Sequence, residues 1–295
     1  MAKSIRIPWL IDLRKVDDKP EMRALAIDQR LDRGFTQRGP LINRLLVQHV
    51  ASTLQFDGKP LPAIAPRDYP DRAKNQAALR ARLDPAKPLW DAATLATLVA
   101  TVRGTRSADE IGPAAQQAVG RLFVPNYAGD ADSWRAARDL DDALRKPLRG
   151  TLLRLTGRLR RSRNLLSRRV NGDLAGVHGT GVAVHNMVRG FAHMRELWRS
   201  APRPAADEVV RRCLYAPESV LREATQRGAT VAGEVQPGSL MMLQLDAIRA
   251  HAPGDADVVF MAGTWAECPA IAFVPALLRA VWDGAIAAEK GENRT

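Results

Sequence analysis

The chain has 295 residues, of which 46% are hydrophobic, 5% aromatic and 26% charged, and its net charge is +12. This length and apolar content exclude a wholly disordered protein and are sufficient for a large buried core. Two cysteines do not make a disulfide framework and are typical of a reducing cytoplasm. The N-terminal segment is charged too early for a signal peptide, and no long uncharged apolar window predicts a membrane span. We therefore expect a cytoplasmic protein whose basic surface attracts acidic partners.

The N-terminal part of the chain carries helical patterns that are separated by a loop-rich region. Residues Leu41–Leu54 place Leu45, Leu46 and Val50 on one face, which predicts an amphipathic helix. Residues 57–89 contain six prolines and are expected to form a loop around a short helix over 71–83. Helical patterns resume over 91–102 and 113–123.

Residues 135–169 form a strongly basic segment with twelve Arg or Lys residues and three Asp. Leucines alternate with these charges, as they do in amphipathic helices. Three interpretations stay open: a solvated helix face, a docking surface for an acidic electron-transfer protein such as a ferredoxin, and contact with nucleic-acid phosphates. Nucleic acid is the weakest of the three, since no aromatic residues are interleaved with the charges.

The C-terminal half predicts further helices and one minor β element. Asn171, Gly172 and Asp173 can supply a cap for a long helix over 174–198. Pro202 and Pro204 interrupt the chain, and Asp207 can cap a helix that ends before Pro217. Residues 229–245 combine β-branched residues with a Pro-Gly turn, which predicts a small β element, and helix returns over 271–289. The predicted architecture is mainly α, with a single mostly helical domain over residues 1–295.

Glu208 and Arg211 stand three apart on a predicted helix, so their side chains can pair, and on spacing alone a surface ion pair is the first interpretation. Arg222-x-Ala224-Thr225, a Pro-Gly turn and an apolar run follow. This order resembles the K-helix region of the cytochrome P-450 (heme-thiolate) family. The resemblance implies that Glu208 and Arg211 support the heme-side scaffold and that Arg222 pairs with a heme propionate, a role that suits the planar guanidinium.

The segment from Ala175 to Thr180 reads AGVHGT and resembles the I-helix signature of the same family. The resemblance implies that Ala175 and Gly176 lie against the heme and that Thr180 helps to deliver protons, with His178 in place of the usual acid. Glycines within a helix cost roughly 1 kcal/mol each relative to alanine, so they need a reason. Close contact with a cofactor would explain these glycines, and tight helix–helix packing is the alternative explanation.

Cys268 is the residue that the resemblance identifies as the iron ligand. Phe260 and Gly263 keep the family's F-x-x-G spacing, but the loop from Gly263 to Cys268 is one residue longer, and Ala266 stands at the usual basic position. A thiolate ligand increases electron density at iron and favours cleavage of the O–O bond. The alternative is a structural cysteine, since cysteine is often buried without a special role.

These motifs together cover residues 170–285, which is the predicted heme-binding region. Residues 30–38 also resemble the end of the family's C helix, which implies a chain that is short at its N-terminus. The expected function is that of a heme-thiolate oxidoreductase with heme b, acting on an apolar small molecule as a monooxygenase or as a peroxide- or oxylipin-processing enzyme. The alternative is a heme-free remnant of the same fold that serves as a basic helical binding or scaffold protein.

Overall fold

The computed structural model describes residues 3–33, 36, 38–87 and 89–292. The chain divides into two compact units. Unit 1 consists of Met1–Gln76 and Ala216–Cys268, and unit 2 consists of Ala77–Tyr215 and Pro269–Thr295. Each unit is therefore built from two separate stretches of the chain, where the sequence predicts one domain.

Unit 1 is organised around a five-stranded mixed sheet. Its strands are β1 (Lys3–Ile7), β2 (Ile11–Val16), β3 (Leu31–Asp32), β6 (Val220–Ala224) and β9 (Leu240–Leu243). They lie in the order β1-β2-β9-β6-β3, and β2 and β9 run parallel whereas the other neighbours are antiparallel. The described residues also form two short ribbons, one of β4 (Gln55–Phe56) with β5 (Lys59–Pro60) and one of β7 (Gly228–Thr230) with β8 (Gly233–Val235).

The described part of unit 1 contains helices α1 (Lys19–Ile27), α2 (Leu41–Leu54), α12 (Leu245–His251) and α13 (Ala256–Val259). Asp18 caps α1 by accepting a hydrogen bond from the Glu21 amide, and a proline follows at the start of the helix. The core forms because the apolar faces of α1, α12 and α13 cover one face of the sheet, with Leu25, Met241 and Val258 all fully buried.

Unit 2 is helical. Helix α3 (Arg72–Arg82) leads into it, and its other elements are α4 (Ala92–Arg103), α5 (Ile111–Gly120), α6 (Ala131–Arg145), α7 (Pro147–Leu155), α8 (Arg158–Arg169), α9 (Leu174–His178), α10 (Val184–Trp198), α11 (Ala206–Cys213) and α14 (Phe273–Glu292). Helices α4, α5, α10 and α14 pack on one another, and α6 packs on α7 and α8. A π-helical turn, Gly179–Ala183, joins α9 to α10.

The helix ends of unit 2 follow local capping chemistry. Asp91 begins α4 by accepting a hydrogen bond from the Thr94 amide, and Gly104 ends this helix in the left-handed conformation with φ of 86°. Asp130 and Ser133 form a reciprocal capping box at the start of α6. Asp173 caps α9 as the sequence predicts, by accepting from the Ala175 and Gly176 amides.

Several sequence predictions differ from the structure. The strands β1 and β2 are not among the predicted elements, because their alternation of apolar and charged residues is confined to short runs. Asp207 does not cap α11, whose N-cap is Ala205; Asp207 lies in the first turn. Residues 30–38 include β3 rather than the end of a helix, and Gly34, Phe35 and Gln37 lie outside the described residues.

One apolar helix bears on the prediction that no segment spans a membrane. Among the described residues one helical segment, Pro269–Glu292, has an 18-residue window with a mean hydropathy of 1.5 and few charges. A third of that window is buried in the protein. Phe273, Leu277 and Trp282 form its buried face, and the helix packs on α4 and α11.

Candidate functional site

Cys268 ends unit 1 in a loop that follows α13. Its backbone amide donates a hydrogen bond to the Phe260 carbonyl at 2.8 Å, which closes the loop at its base. Gly263 has a φ of 69°, a conformation that glycine adopts without strain, and its amide donates to Glu267 at 2.8 Å. The Thr264 hydroxyl donates to the Met261 carbonyl at 2.8 Å. The loop is thus held by its own hydrogen bonds, and the Cys268 side chain is half-buried.

Trp265, three residues before Cys268, lies at the centre of four arginines. The guanidinium carbons of Arg33, Arg67, Arg72 and Arg222 are 5.4, 4.8, 4.9 and 5.4 Å from the centroid of its ring. We call these four residues the arginine cluster. Cation–π attraction to the indole offsets part of the repulsion between the guanidinium groups.

Different elements of unit 1 place the members of the arginine cluster. Arg222 lies on β6 opposite Met241 of β9, so it projects from within the sheet, and its side chain has no solvent exposure. Arg33 follows β3, the neighbour of β6. Arg67 comes from the proline-rich loop, and Arg72 from the first turn of α3. Residues far apart in sequence therefore supply the cluster.

The outer nitrogens of the cluster are occupied by the protein itself. Arg33 donates to the Ala266 carbonyl at 3.1 Å and Arg72 to the Ala65 carbonyl at 2.7 Å. The Nε atoms of all four arginines and the indole nitrogen of Trp265 are buried and have no hydrogen-bond partner among the described residues. Five donors thus lack an acceptor, an arrangement that is costly unless an acceptor binds.

The cluster carries an excess of positive charge. Burial lowers the pKa of Arg33 to about 10, Arg72 acts in the same direction, and the charges of Cys268 and Asp32 oppose the shift. Burial and the neighbouring Arg33 lower the pKa of Arg222 well below its usual value. Asp32 is the carboxylate that favours the charged form of Arg33, Arg72 and Arg222. One carboxylate does not neutralise four guanidinium groups, so the cluster keeps a net positive charge that attracts a further anion.

This arrangement fits the carboxylate-bearing edge of a thiolate-ligated heme. A heme carries two propionates, whose oxygens are acceptors for the Nε atoms that lack partners. Cys268 lies close enough to Arg33 for their two charges to attract. Among the described residues no group of three or more His, Cys, Asp or Glu side chains could hold a metal ion. A thiolate-bound heme needs a single protein sulfur and does not depend on such a group.

The segment from Ala175 to Thr180 lies in unit 2, where neighbouring side chains explain its glycines. A Cβ on Gly176 would lie 2.9 Å from Val170 and 3.1 Å from Phe123, and one on Gly179 would lie 2.9 Å from Val119. Helix packing within unit 2 therefore requires both glycines. Ala175 and His178 are half-buried on α9.

Thr180 is fully buried in the π-helical turn. Its hydroxyl donates to the Gly176 carbonyl at 2.8 Å, and its own carbonyl accepts from Gln116 at 2.7 Å. Burial raises the pKa of Tyr127, and the neighbouring side chains of Ser133 and Thr180 oppose this shift. The π-helical turn interrupts the regular helix at the residue for which the sequence predicts a catalytic role, and such turns are frequent at functional sites.

Glu208 and Arg211 form an ion pair on α11, as their spacing predicts. The two side chains are 38% and 51% exposed, respectively, so the pair lies at the surface of unit 2. An exposed pair of this kind contributes little to stability, typically below about 1 kcal/mol.

The sequence motifs identify Cys268 and Arg222 but not Arg33, Arg67, Arg72 and Trp265. Arg67 and Arg72 lie in a proline-rich stretch whose spacing carries no motif, and Arg33 follows a two-residue strand. The position of Trp265 three residues before Cys268 is the one signal in the sequence that points to it.

No family model matches the sequence, and no curated protein matches it. Solved structures do match. Cytochrome P450-153 from Novosphingobium aromaticivorans has a TM-score of 0.61 at 12% identity, with 97% of this chain and 85% of that chain covered. P450BioI, in complex with an acyl carrier protein ligated to hexadec-9Z-enoic acid, has a TM-score of 0.58 at 12% identity, with 97% and 87% covered. CYP175A1 from Thermus thermophillus has a TM-score of 0.55 at 13% identity, with 95% and 82% covered. The predicted fold class is thereby confirmed: the chain has the fold of cytochrome P450 structures.

Proposed function

We propose that the protein is a heme-thiolate oxidoreductase that oxidises an apolar small molecule. The observation that carries the proposal is the arginine cluster beside Cys268, whose five buried donors lack an acceptor among the described residues. Two propionates supply such acceptors together with the negative charge that the cluster lacks. The cytochrome P450 fold supports the same conclusion.

Each part of the site has a proposed role. Arg222, Arg33, Arg67 and Arg72 would hold the propionates of heme b, and Cys268 would supply the thiolate ligand. Bound heme with a thiolate ligand supplies the oxidising chemistry, as a monooxygenase with dioxygen or as a peroxide- or oxylipin-processing enzyme. In this proposal Glu208 and Arg211 stabilise α11, which precedes the strand that carries Arg222, and Ala175 and Gly176 allow close packing of the helix that bears Thr180.

Proton delivery is assigned to Thr180 and His178. The Thr180 hydroxyl donates to the Gly176 carbonyl at 2.8 Å, so it would have to release this bond in order to donate to a reacting group. His178 occupies the position of the family's acid, and its imidazole would take the place of that acid in the relay. A reaction that uses peroxide needs less proton delivery and is therefore compatible with this substitution.

The substrate and the redox partner follow from the same proposal. P450BioI was solved with an acyl chain carried by an acyl carrier protein, so an acyl chain is one candidate for the apolar substrate. With a net charge of +12, the protein would attract an acidic electron donor such as a ferredoxin.

The test is the absorption spectrum of the purified protein after expression with an ample supply of heme. We expect a stoichiometric heme whose reduced carbon monoxide complex shows the red-shifted Soret band of thiolate ligation. Cys268→Ala should abolish this band. Cys213→Ala is the matched control: Cys213 is buried in α11 and plays no part in the proposed site, so this variant should keep the band.

The alternative is a heme-free helical scaffold protein. The exposure of the Glu208–Arg211 pair and the packing of the glycines are compatible with it, because neither feature requires a cofactor. A protein that retains no heme, and whose Cys268→Ala variant is indistinguishable from the wild type in stability, would establish this alternative and overturn the proposal.

A further inference from the structure

Helix α7 exposes a stripe of leucines. Leu148, Leu152 and Leu155 are 89%, 59% and 82% exposed, and their spacing of four and three residues places them on one face. The opposite side of the helix is pressed against α6: a Cβ on Gly150 would lie 2.7 Å from the Ala143 carbonyl oxygen, and Leu153 is buried. The apolar face of α7 therefore points away from the core of unit 2.

Positive charge surrounds this stripe. Residues 147–169, which form α7 and α8, contain eight arginines and no acidic residue. Arg160 and Arg161 are exposed on α8 and have no ion-pair partner among the described residues. Two carboxylates of α6 are already paired with arginines of this segment, Asp139 with Arg158 at 2.8 Å and Asp142 with Arg149 at 3.0 Å.

The combination of exposed leucines and arginines distinguishes among the possible binding partners of this surface. A second copy of the chain would bring eight further arginines to the same surface, and like charges repel. A nucleic acid would bind the arginines and leave the leucines in water. The core of a protein interface is typically rich in aromatic residues, and residues 147–169 contain none. An anionic lipid surface is complementary to both features.

We propose that the leucine stripe of α7 and the arginines of α8 bind an anionic phospholipid surface. Helix α7 is about 13 Å long, too short to cross a bilayer of about 30 Å, so it would lie in the plane of the interface. Leu148, Leu152 and Leu155 enter the boundary between headgroups and acyl chains, while Arg160 and Arg161 bind lipid phosphates. Binding at this surface does not require heme, so it is independent of the proposed function.

The test is co-sedimentation of the full chain with large vesicles at low ionic strength. We expect binding to vesicles of phosphatidylglycerol mixed with phosphatidylcholine and little binding to phosphatidylcholine alone. Replacing two leucines in the variant Leu148→Ser/Leu155→Ser should lower the partition coefficient at least about tenfold, since each removes a largely exposed apolar side chain from the contact. Arg160→Gln/Arg161→Gln should lower it about tenfold as well.

Leu45→Ser is the control, because Leu45 is 55% exposed on α2 of unit 1 and its loss should not change binding. All four leucine and arginine substitutions lie on exposed side chains, and circular dichroism checks that the variants are folded. The proposal is overturned if the wild type does not bind phosphatidylglycerol vesicles, if it binds phosphatidylcholine vesicles equally well, or if the α7 variant binds as the wild type does.

Discussion

Arg222 is a charged residue with no exposure to solvent, and its neighbours increase the cost of its charge. Without a bound anion, an apolar side chain of similar length should be tolerated at least as well. We predict that Arg222→Met leaves the heme-free protein equally stable or raises its free energy of unfolding by about 1–3 kcal/mol. The same variant should bind heme at least about tenfold more weakly, since a charge-assisted hydrogen bond is lost.

The opposite signs of these two effects are the diagnostic result. Thermal unfolding of the heme-free protein and heme titration measure them separately. Arg6→Met serves as the control: Arg6 is exposed on β1 of unit 1 and has no part in the proposed site, so neither quantity should change appreciably. Destabilisation of the heme-free protein by Arg222→Met would show that the arginine is a structural element of the sheet rather than a ligand-binding group.

The two cysteines differ in their surroundings. Burial raises the pKa of Cys213 to about 12, so in the folded protein this thiol stays protonated at pH 8, whereas Cys268 is only half-buried. We predict that a thiol reagent modifies one cysteine per chain at pH 8, that this residue is Cys268, and that heme protects it. Mass spectrometry of labelled peptides makes the measurement. Modification of Cys213 in the folded chain, or equal labelling of Cys268 with and without heme, would contradict it.

At the scale of elements, the glycines of α9 and the π-helical turn are explained by packing. Alanine has the higher helix propensity by about 1 kcal/mol, but a Cβ on Gly179 would lie 2.9 Å from Val119. Overpacking of this kind costs about 1–3 kcal/mol. We therefore predict that Gly179→Ala destabilises the protein, as measured by chemical denaturation. Gly291→Ala near the end of α14 is the control, because a Cβ at that position would have no neighbouring atom within 4 Å and a small gain is expected.

The N-terminus of α4 depends on an ionised carboxylate. Partial burial disfavours the charged form of Asp91. Three interactions outweigh this effect: hydrogen bonds from the Thr94 amide and hydroxyl, and the ion pair with Arg121. The pKa of Asp91 therefore lies well below its usual value. A group with a depressed pKa in the folded state stabilises the protein above its unfolded pKa of about 3.9 and loses that contribution as pH falls towards its folded pKa.

We predict that Asp91→Ala lowers the free energy of unfolding by about 1–2 kcal/mol at pH 7, the usual cost of losing an N-cap. The difference from the wild type should shrink as pH falls below about 4, where the unfolded carboxylate takes up its proton. Denaturant titrations at several pH values test this. Asp132→Ala, at an exposed position in the first turn of α6, should cost less than about 0.5 kcal/mol. A difference between Asp91→Ala and the wild type that does not depend on pH would contradict the assigned role of the charge.

Local signals predicted the helices better than the sheet. The helix Leu41–Leu54 and a cap before residue 174 follow from patterns within one turn or a few turns of chain, and both are confirmed. The predicted apolar face of that helix is wrong in part, because Val47 and Ala51 are buried whereas Leu45 is 55% exposed. The pairing of β2 with β9 joins residues more than 200 positions apart, and no local pattern encodes it. The same reason applies to the site. Cys268 and Arg222 carry motifs, whereas Arg33, Arg67 and Arg72 meet at Trp265 only because the chain folds.

At the scale of the whole molecule, unit 1 is assembled from two segments that flank most of unit 2 in sequence. A truncation at one end of the chain therefore cannot delete one unit and leave the other unit whole. A consequence is that the contribution of a ligand to stability must be measured on the full chain. Heme binding to the folded protein alone stabilises it by mass action, by about 2.7 kcal/mol when free heme is 100 times its dissociation constant.

We predict that heme raises the melting temperature of the wild-type chain and that Cys268→Ala and Arg222→Met each reduce this increase. The two substitutions remove different parts of the proposed site, the thiolate ligand and a propionate donor. Both should therefore appear in scanning calorimetry as a smaller shift at the same heme concentration. Cys213→Ala should retain the full shift relative to its own heme-free melting temperature. A melting temperature of the wild type that does not respond to heme would favour the heme-free scaffold, because a fold that binds a ligand in its native state cannot escape this linkage.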